Sequence, residues 1–184
     1  MAPQRAVRDA MLAAVPSLRA FAISLSRNND RADDLVQETL MRAWAHIDSF
    51  EPGTNMSAWL FTILRNLFRS EYRKRHREVE DATGAYTESL TSLPGQSGNL
   101  ELQEFRAALG TLPDDQREAL ILVGASGFSY EEAAKICGCA VGTIKSRVNR
   151  ARGRLARALE ISPGEDFGPD NETLAAIAPT TETK

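Results

Sequence analysis

The strongest constraint on this chain is an apolar period of about 3.6 residues that holds from the N-terminus to about Arg77 and resumes from Leu100 to about Ile161. No stretch alternates apolar and polar residues as a half-buried strand does, so the period commits the chain to helices packed on helices. The interruption, "EVEDATGAYTESLTSLPGQSGN" from Glu78 to Asn99, mixes Gly, Ser, Thr, Pro and acidic residues without an apolar period and reads as a flexible acidic linker. After Ile161 the chain turns acidic and Pro-rich, as a disordered tail does. The expected architecture is therefore all-α. Two small helical domains, residues 1–77 and 100–161, are joined by the linker 78–99 and followed by the tail 162–184.

With 184 residues and 42% hydrophobic composition the chain can bury real cores. No apolar run approaches the roughly 20 residues that cross a bilayer, and "MAPQRAVRDAMLAAVPSLRA" carries charges where a signal peptide is apolar. A cytoplasmic protein without a membrane partner is expected. The net charge of -3 conceals an uneven distribution. Arg65 to Arg77 carries +5 and Thr143 to Arg157 carries +6, which leaves -14 on the remainder. Two compact basic stretches in an acidic chain suit local phosphate contacts and limit indiscriminate DNA binding; the bland alternative is two solvated helix faces.

In the first domain, Pro16 fits the first turn of a helix running to about Arg27, and "NND" from Asn28 to Asp30 breaks it. Asn29 or Asp30 is expected to cap the next helix, whose buried side is assigned to Leu35, Val36, Leu40, Ala43, Trp44 and Ile47. Asp33, Asp34, Gln37 and Glu38 make a mostly anionic surface early in that helix, which by itself only complements the helix dipole. After "DSFEPGTN", a loop by its Pro-Gly pair, a long helix is expected from about Met56 to Arg77. At 100° per residue, Leu60, Ile63, Leu64 and Leu67 form its packed side, and Thr62, Arg65, Asn66, Arg69 and Arg73 a cationic ridge opposite. Phe61, Phe68 and Tyr72 lie on a flank between them. They either pack against a neighbouring helix, the commoner outcome, or stack on unpaired bases at about 1 to 3 kcal/mol each.

The second domain is sharply punctuated. Pro113 suits a first helical position, Asp114 and Asp115 a first turn, Ala119, Leu120, Leu122 and Val123 a packed face, and Gly127 a stop. "SYEE" from Ser129 is a capping box, and Cys137, Gly138 and Cys139 make a tight turn before a helix starting near Ala140 or Val141. Helix, short glycine turn, helix is the helix-turn-helix layout. On the last helix Ile144, Val148, Ala151 and Leu155 form the buried stripe, while Lys145, Ser146, Asn149 and Arg150 share another face. Those four side chains donate to base edges, and Gly142 and Thr143 at the helix start can hold a phosphate. A merely solvated helix intersperses Glu with Arg, and none stands between Thr143 and Arg157, so major-groove insertion is the better reading.

A structural zinc site needs four ligands, whereas the chain has two neighbouring thiols and the distant His46 and His76. The cysteines read instead as small apolar fillers where helices meet. No nucleophile-base grouping, phosphate-cradling Gly loop or paired carboxylates can be identified, so no enzyme, metal or cofactor is expected.

"DDLVQETLMRAW", "FEPGTNMSAWLFTILRNLFRSEYRKR", "LPDDQREALILVGASGFSYEEAAKI" and "VGTIKSRVNRAR", in that order, resemble an extracytoplasmic-function (ECF) sigma factor of bacterial RNA polymerase, nearest to the EcfG type. The resemblance spans about Pro16 to Leu159. It implies a sigma region 2 bundle, a sigma region 4 helix-turn-helix, and a general-stress-response sigma factor of alphaproteobacteria. Asp34, Gln37 and Glu38 then match the surface docking on the β′ clamp helices of the polymerase core, whose β subunit is also a partner. Thr54, Asn55 and Met56, within the loop Phe50 to Ser57, match the element that pockets a base flipped from the minus-ten strand. Asn66, Arg69 and Arg73 match the surface along the opened strand, and Thr143, Lys145, Ser146, Asn149 and Arg150 the minus-thirty-five readers. The linker matches the segment that threads toward the polymerase active centre and RNA exit path. Regulation is implied through an anti-sigma protein of the NepR type, released by a PhyR-type response regulator. Ala140 departs from the capping Ser or Pro of many relatives. The alternative is a helix-turn-helix regulator that acts without docking on core polymerase.

Overall fold

The computed structural model describes residues 2–83 and 100–160, and the expectations for residues 84–99 and for the tail lie outside the described residues. Among the described residues there are helices and turns and no strand. The N-terminal unit comprises α1 (Ala2–Ser26), α2 (Asn29–Ala45), a 3-10 turn (Ile47–Ser49) and α3 (Met56–Thr83). The C-terminal unit comprises α4 (Leu100–Gly110), α5 (Asp114–Leu120), a π turn (Ile121–Ala125), α6 (Tyr130–Cys137) and α7 (Val141–Ala158).

Helix α1 runs through Pro16 instead of starting there. An interior proline forfeits one backbone bond and costs about 3 kcal/mol. Here that cost is offset by a stripe spanning both sides of it, with Met11, Ala14, Leu18, Phe21, Ala22 and Leu25 all buried. The same stripe corrects a second expectation: Arg5–Ser26 is long and apolar enough, by length and composition, to cross a membrane. One face of it, with Leu18, Phe21 and Ala22 fully covered, packs on both α2 and α3, and the opposite face stands in solvent with charged Arg5, Arg8, Asp9 and Arg19 along the helix. Asn28, one residue earlier than expected, caps α2, its side chain accepting from the Arg31 amide. Helix α3 continues past Arg77 to Thr83.

In the C-terminal unit Pro113 stands at the cap of α5, so that Asp114 and not Pro113 takes the first helical position, and the remaining punctuation acts as read. Ser129 accepts from the Glu132 amide while the Glu132 carboxylate accepts from the Ser129 amide, and Gly138 ends α6 at φ 59°. Ile144, Val148, Ala151 and Leu155 are buried along α7. The last two close on Ala108 and Leu112, which fixes α4 against the far half of α7. After α5 the backbone widens into the π turn, the Ser126 amide bonding to Ile121 O, and Gly127 at φ 72° reverses the chain so that Phe128 turns inward.

The two units lie face to face and share one buried apolar cluster, from Met11 on α1 to Val148 on α7. Phe61 on α3 is at its centre, stacked on Phe21 (4.9 Å, 28°) and met edge-on by Phe128 of the other unit (4.9 Å, 75°). Packing is therefore the outcome for Phe61, while Phe68 is half-buried and Tyr72 exposed.

Ala140 occupies the cap of α7 with extended backbone (φ -69°, ψ 148°) and no side-chain bond to the helix amides. Ala140→Ser supplies the missing acceptor, and a stabilisation of about 1 kcal/mol is expected. The check is a rise in the urea midpoint at unchanged slope.

Candidate nucleic-acid interface

On α7, Thr143, Lys145, Asn149 and Arg150 are exposed and Ser146 is half-buried, one helix face away from the buried stripe. The Lys145 ammonium lies 5.8 Å from the centre of the Tyr130 ring, which steadies a long side chain at the mouth of the turn. Arg147, by contrast, is turned inward. Its guanidinium meets Asp115 at 3.1 Å and donates to Cys139 Sγ at 3.9 Å, so it ties α7 to α5 and to the turn.

The anionic surface of α2 is divided by its ion pairs. Asp33 accepts from Arg19 at 2.6 and 3.2 Å, a hydrogen bond that holds its carboxyl below the usual range, and Glu38 accepts from Arg42 at 2.6 Å. Asp34 and Gln37 are exposed and Glu38 half-buried. Trp44, assigned to the buried side, is instead 52% exposed, as are much of Met41 and Leu12, while Leu40 and Ile47 are half-buried. Trp44 lies seven residues after Gln37 and therefore on the Gln37–Met41 stripe, not beneath it. Together with Arg8, Met11, Leu40 and Ala45, these three residues line an apolar groove of about 450 Å³ that continues the anionic patch along α2.

The loop before α3 is tightly built. Thr54 Oγ1 donates to Glu51 O at 2.7 Å, Gly53 adopts φ 91°, and Asn55 Oδ1 accepts from the Ala58 amide as a cap of α3. Phe50 tilts onto Trp59 at 5.3 Å, bracing the loop, and Met56 is half-buried. Asn55 Nδ2 then donates 2.7 Å across to Glu132 of the C-terminal unit. The Ser129 amide, followed by this amide of Asn55, lowers the Glu132 pKa below its ordinary value.

The ridge on α3 is not continuous in solvent. Asn66, Arg69 and Arg73 are exposed, but Arg65 is 4% exposed and its guanidinium forks onto Glu118, itself 3% exposed. Arg69 donates to the same carboxylate at 3.3 Å. Around this pair, Arg117 donates to Ser24 O at 2.9 Å and Arg27 to Gly110 O at 3.1 Å, binding α1 to the second unit. Glu118 escaped the sequence reading, although a carboxylate four residues before Leu122 sits on the packed face of its helix and so requires a buried partner.

Residues 11–78 match the family model of sigma-70 region 2, and residues 102–155 that of sigma-70 region 4. Two such helical units, one of them a helix-turn-helix, define a sigma-70-type initiation factor: a subunit that directs core RNA polymerase to promoter DNA and is not an enzyme. Over 171 residues the chain is 73% identical to the ECF RNA polymerase sigma factor EcfG of Rhodopseudomonas palustris (strain TIE-1), covering 93% of this chain and 94% of that one. The chain belongs to the ECF RNA polymerase sigma factors. It is similar to the sigma factor RpoE solved in complex with the anti-sigma factor NepR from Bartonella quintana (TM-score 0.76, 61% identity, 85% of this chain and 98% of that one). It also resembles CnrH in complex with the cytosolic domain of CnrY (TM-score 0.64, 29% identity, 87% and 91%).

Among the described residues no group of three or more His, Cys, Asp or Glu is placed to hold a metal. Cys137 is buried between α6 and its neighbours, and burial, with Glu118 nearby, pushes its thiol up to about 12. Cys139 is partly exposed. Alkylation with iodoacetamide at pH 8 is therefore expected to modify Cys139 first and to reach Cys137 only as the protein unfolds. Mass spectrometry of timed quenches reads the order, and equal rates on the folded protein contradict it.

Proposed function

We propose that this sigma factor reads a two-part promoter by dividing the work between its two helical units, and that it serves the general stress response in the cytoplasm. The observation that carries the reading is the face of exposed Thr143, Lys145, Asn149 and Arg150 with half-buried Ser146 among them, set opposite a buried stripe on the second helix of a helix-turn-helix. Those residues take the minus-thirty-five element in the major groove, with Thr143 at the helix start on a phosphate.

The minus-ten element falls to the first unit. Thr54, Asn55 and Met56 receive the flipped base, and Asn66, Arg69 and Arg73 follow the opened strand. Binding energy there offsets unpairing and unstacking, which cost a few kcal/mol. Core polymerase docks on Asp34, Gln37 and Glu38, and the groove at Leu12, Met41 and Trp44 gives that polar patch an apolar continuation of the kind that anchors an interface. By likeness to RpoE of Bartonella quintana, a NepR-type anti-sigma protein sequesters the chain until stress releases it.

In vitro transcription with sigma-free core polymerase on a genomic promoter library tests the reading, with starts sharing a two-part upstream motif expected. In the same assay Arg150→Ala should cost about 1 to 3 kcal/mol of discrimination at one upstream base. An equal loss on every sequence demotes Arg150 to a phosphate contact. Glu38→Lys should weaken core-polymerase binding at unchanged helical content, and unaltered affinity removes Glu38 from the docking surface.

A further inference from the structure

We propose that Tyr130 is a positioning residue for promoter recognition: its ring holds the Lys145 ammonium so that this lysine reads one guanine of the upstream element instead of any acceptor within reach. This rests on the reading of Lys145 as a minus-thirty-five contact.

The pair is assembled by local rules on two helices. The reciprocal bonds between Ser129 and Glu132 fix the start of α6, so Tyr130 takes its first helical position, half-buried and packed at the edge of the shared apolar cluster. Gly138, in the left-handed region at φ 59°, then turns the chain so that α7 packs back on α6. Lys145 stands in the second turn of α7, one residue after the buried Ile144, and its ammonium comes to 5.8 Å from the centre of the Tyr130 ring. Asn149 and Arg150, on the same face, are exposed and make no side-chain hydrogen bond or ion pair among the described residues. Lys145 is thus held by a neighbour where those two are not.

A ring suits this task better than a carboxylate. Lysine carries a point charge on a flexible four-carbon stem, and an unrestrained ammonium donates to phosphates, to thymine O4 or to adenine N7 as well as to the paired O6 and N7 acceptors of guanine. A carboxylate beside it would fix the stem but cancel the charge and repel the phosphates. The negative face of an aromatic ring fixes it while leaving the charge and the N–H donors free for a base. Among the described residues no carboxylate pairs with Lys145, and Glu132 on the same helix as Tyr130 is committed to the Ser129 amide and to Asn55. Tyr130 belongs to α6 and not to the helix that enters the groove, so its effect on the base passes through Lys145.

The full-length chain is combined with core polymerase on a promoter library whose upstream element is randomised, and base preference at each position is counted from the transcripts. Lys145→Ala marks the position that Lys145 reads, where the wild type is expected to favour guanine. Tyr130→Leu keeps an apolar side chain against the core. It should lower the preference at that position about two- to fivefold, the range of an exposed cation–π contact, and leave the other upstream positions as they are. Tyr130→Phe keeps the ring face and should read as wild type. Added to Lys145→Ala, Tyr130→Leu should change nothing further, because a residue that acts through the lysine has nothing left to act on.

Should Tyr130→Leu fail to fold, Tyr130→Met is measured in its place. The proposal is overturned by an unchanged preference in Tyr130→Leu, by a loss spread evenly over all positions, by Tyr130→Phe as impaired as Tyr130→Leu, or by a further loss once Lys145 is alanine. A preference for another base at the position marked by Lys145→Ala overturns it as well. In each of these outcomes Lys145 remains a base contact. If Lys145→Ala alters no position, the reading of Lys145 beneath the proposal falls and the proposal with it.

Discussion

A guanidinium and a carboxylate buried against each other set the terms for this molecule, because neither tolerates burial alone. Arg65 comes from the long helix of one unit and Glu118 from the first helix-turn-helix support of the other, so the pair forms only when the two units meet in one register. Phe61 and Phe128 then fall edge to face beside it, and the two apolar cores become one. Hydrophobic burial supplies the attraction between the units, being largely indifferent to direction. The ion pair supplies the direction, since a shift that kept the apolar contact but parted the charges would leave both without water or partner.

That register decides which polar faces remain available. The polar face of α7 stays in solvent because its opposite stripe is spent on α5, α6 and α4. On α2, the stripe from Asp34 through Gln37 and Met41 to Trp44 is likewise left open, giving a surface that is acidic at one end and apolar at the other. The α3 ridge is shared instead: Arg65 is spent inside, Arg69 is half committed, and Asn66 and Arg73 remain exposed. One helix thus serves as a wall of the shared core while keeping cationic side chains in solvent.

The elements that were legible in the sequence are those whose cause is local. The Ser129–Glu132 capping box, the left-handed Gly138 and the α7 stripe each depend on residues within a turn or two of one another, and each folds as its spacing dictates. The misreadings share one origin. By sequence Pro16 marks a helix start, because one lost backbone bond is all that a local rule weighs, whereas in the structure a buried stripe on both sides of it decides. Trp44 was placed inside by its hydrophobicity and lies outside by its position. Arg65 was grouped with its cationic neighbours because a helical wheel allows for one core and one solvent, with no place for a second body.

The chain by itself determined its helices, most of their buried stripes, the helix-turn-helix and the exposed polar face of its last helix, because a 3.6-residue period and its caps are properties of contiguous backbone. Tertiary structure alone decided that α3 faces α5 and α6, that Glu118 lies between Arg65 and Arg69, and that Asn55 reaches Glu132. The physical reason is separation along the chain. A residue's pattern records how often its own helix turns, while a contact made from Arg65 to Glu118 depends on two surfaces whose complementarity exists only after each has folded.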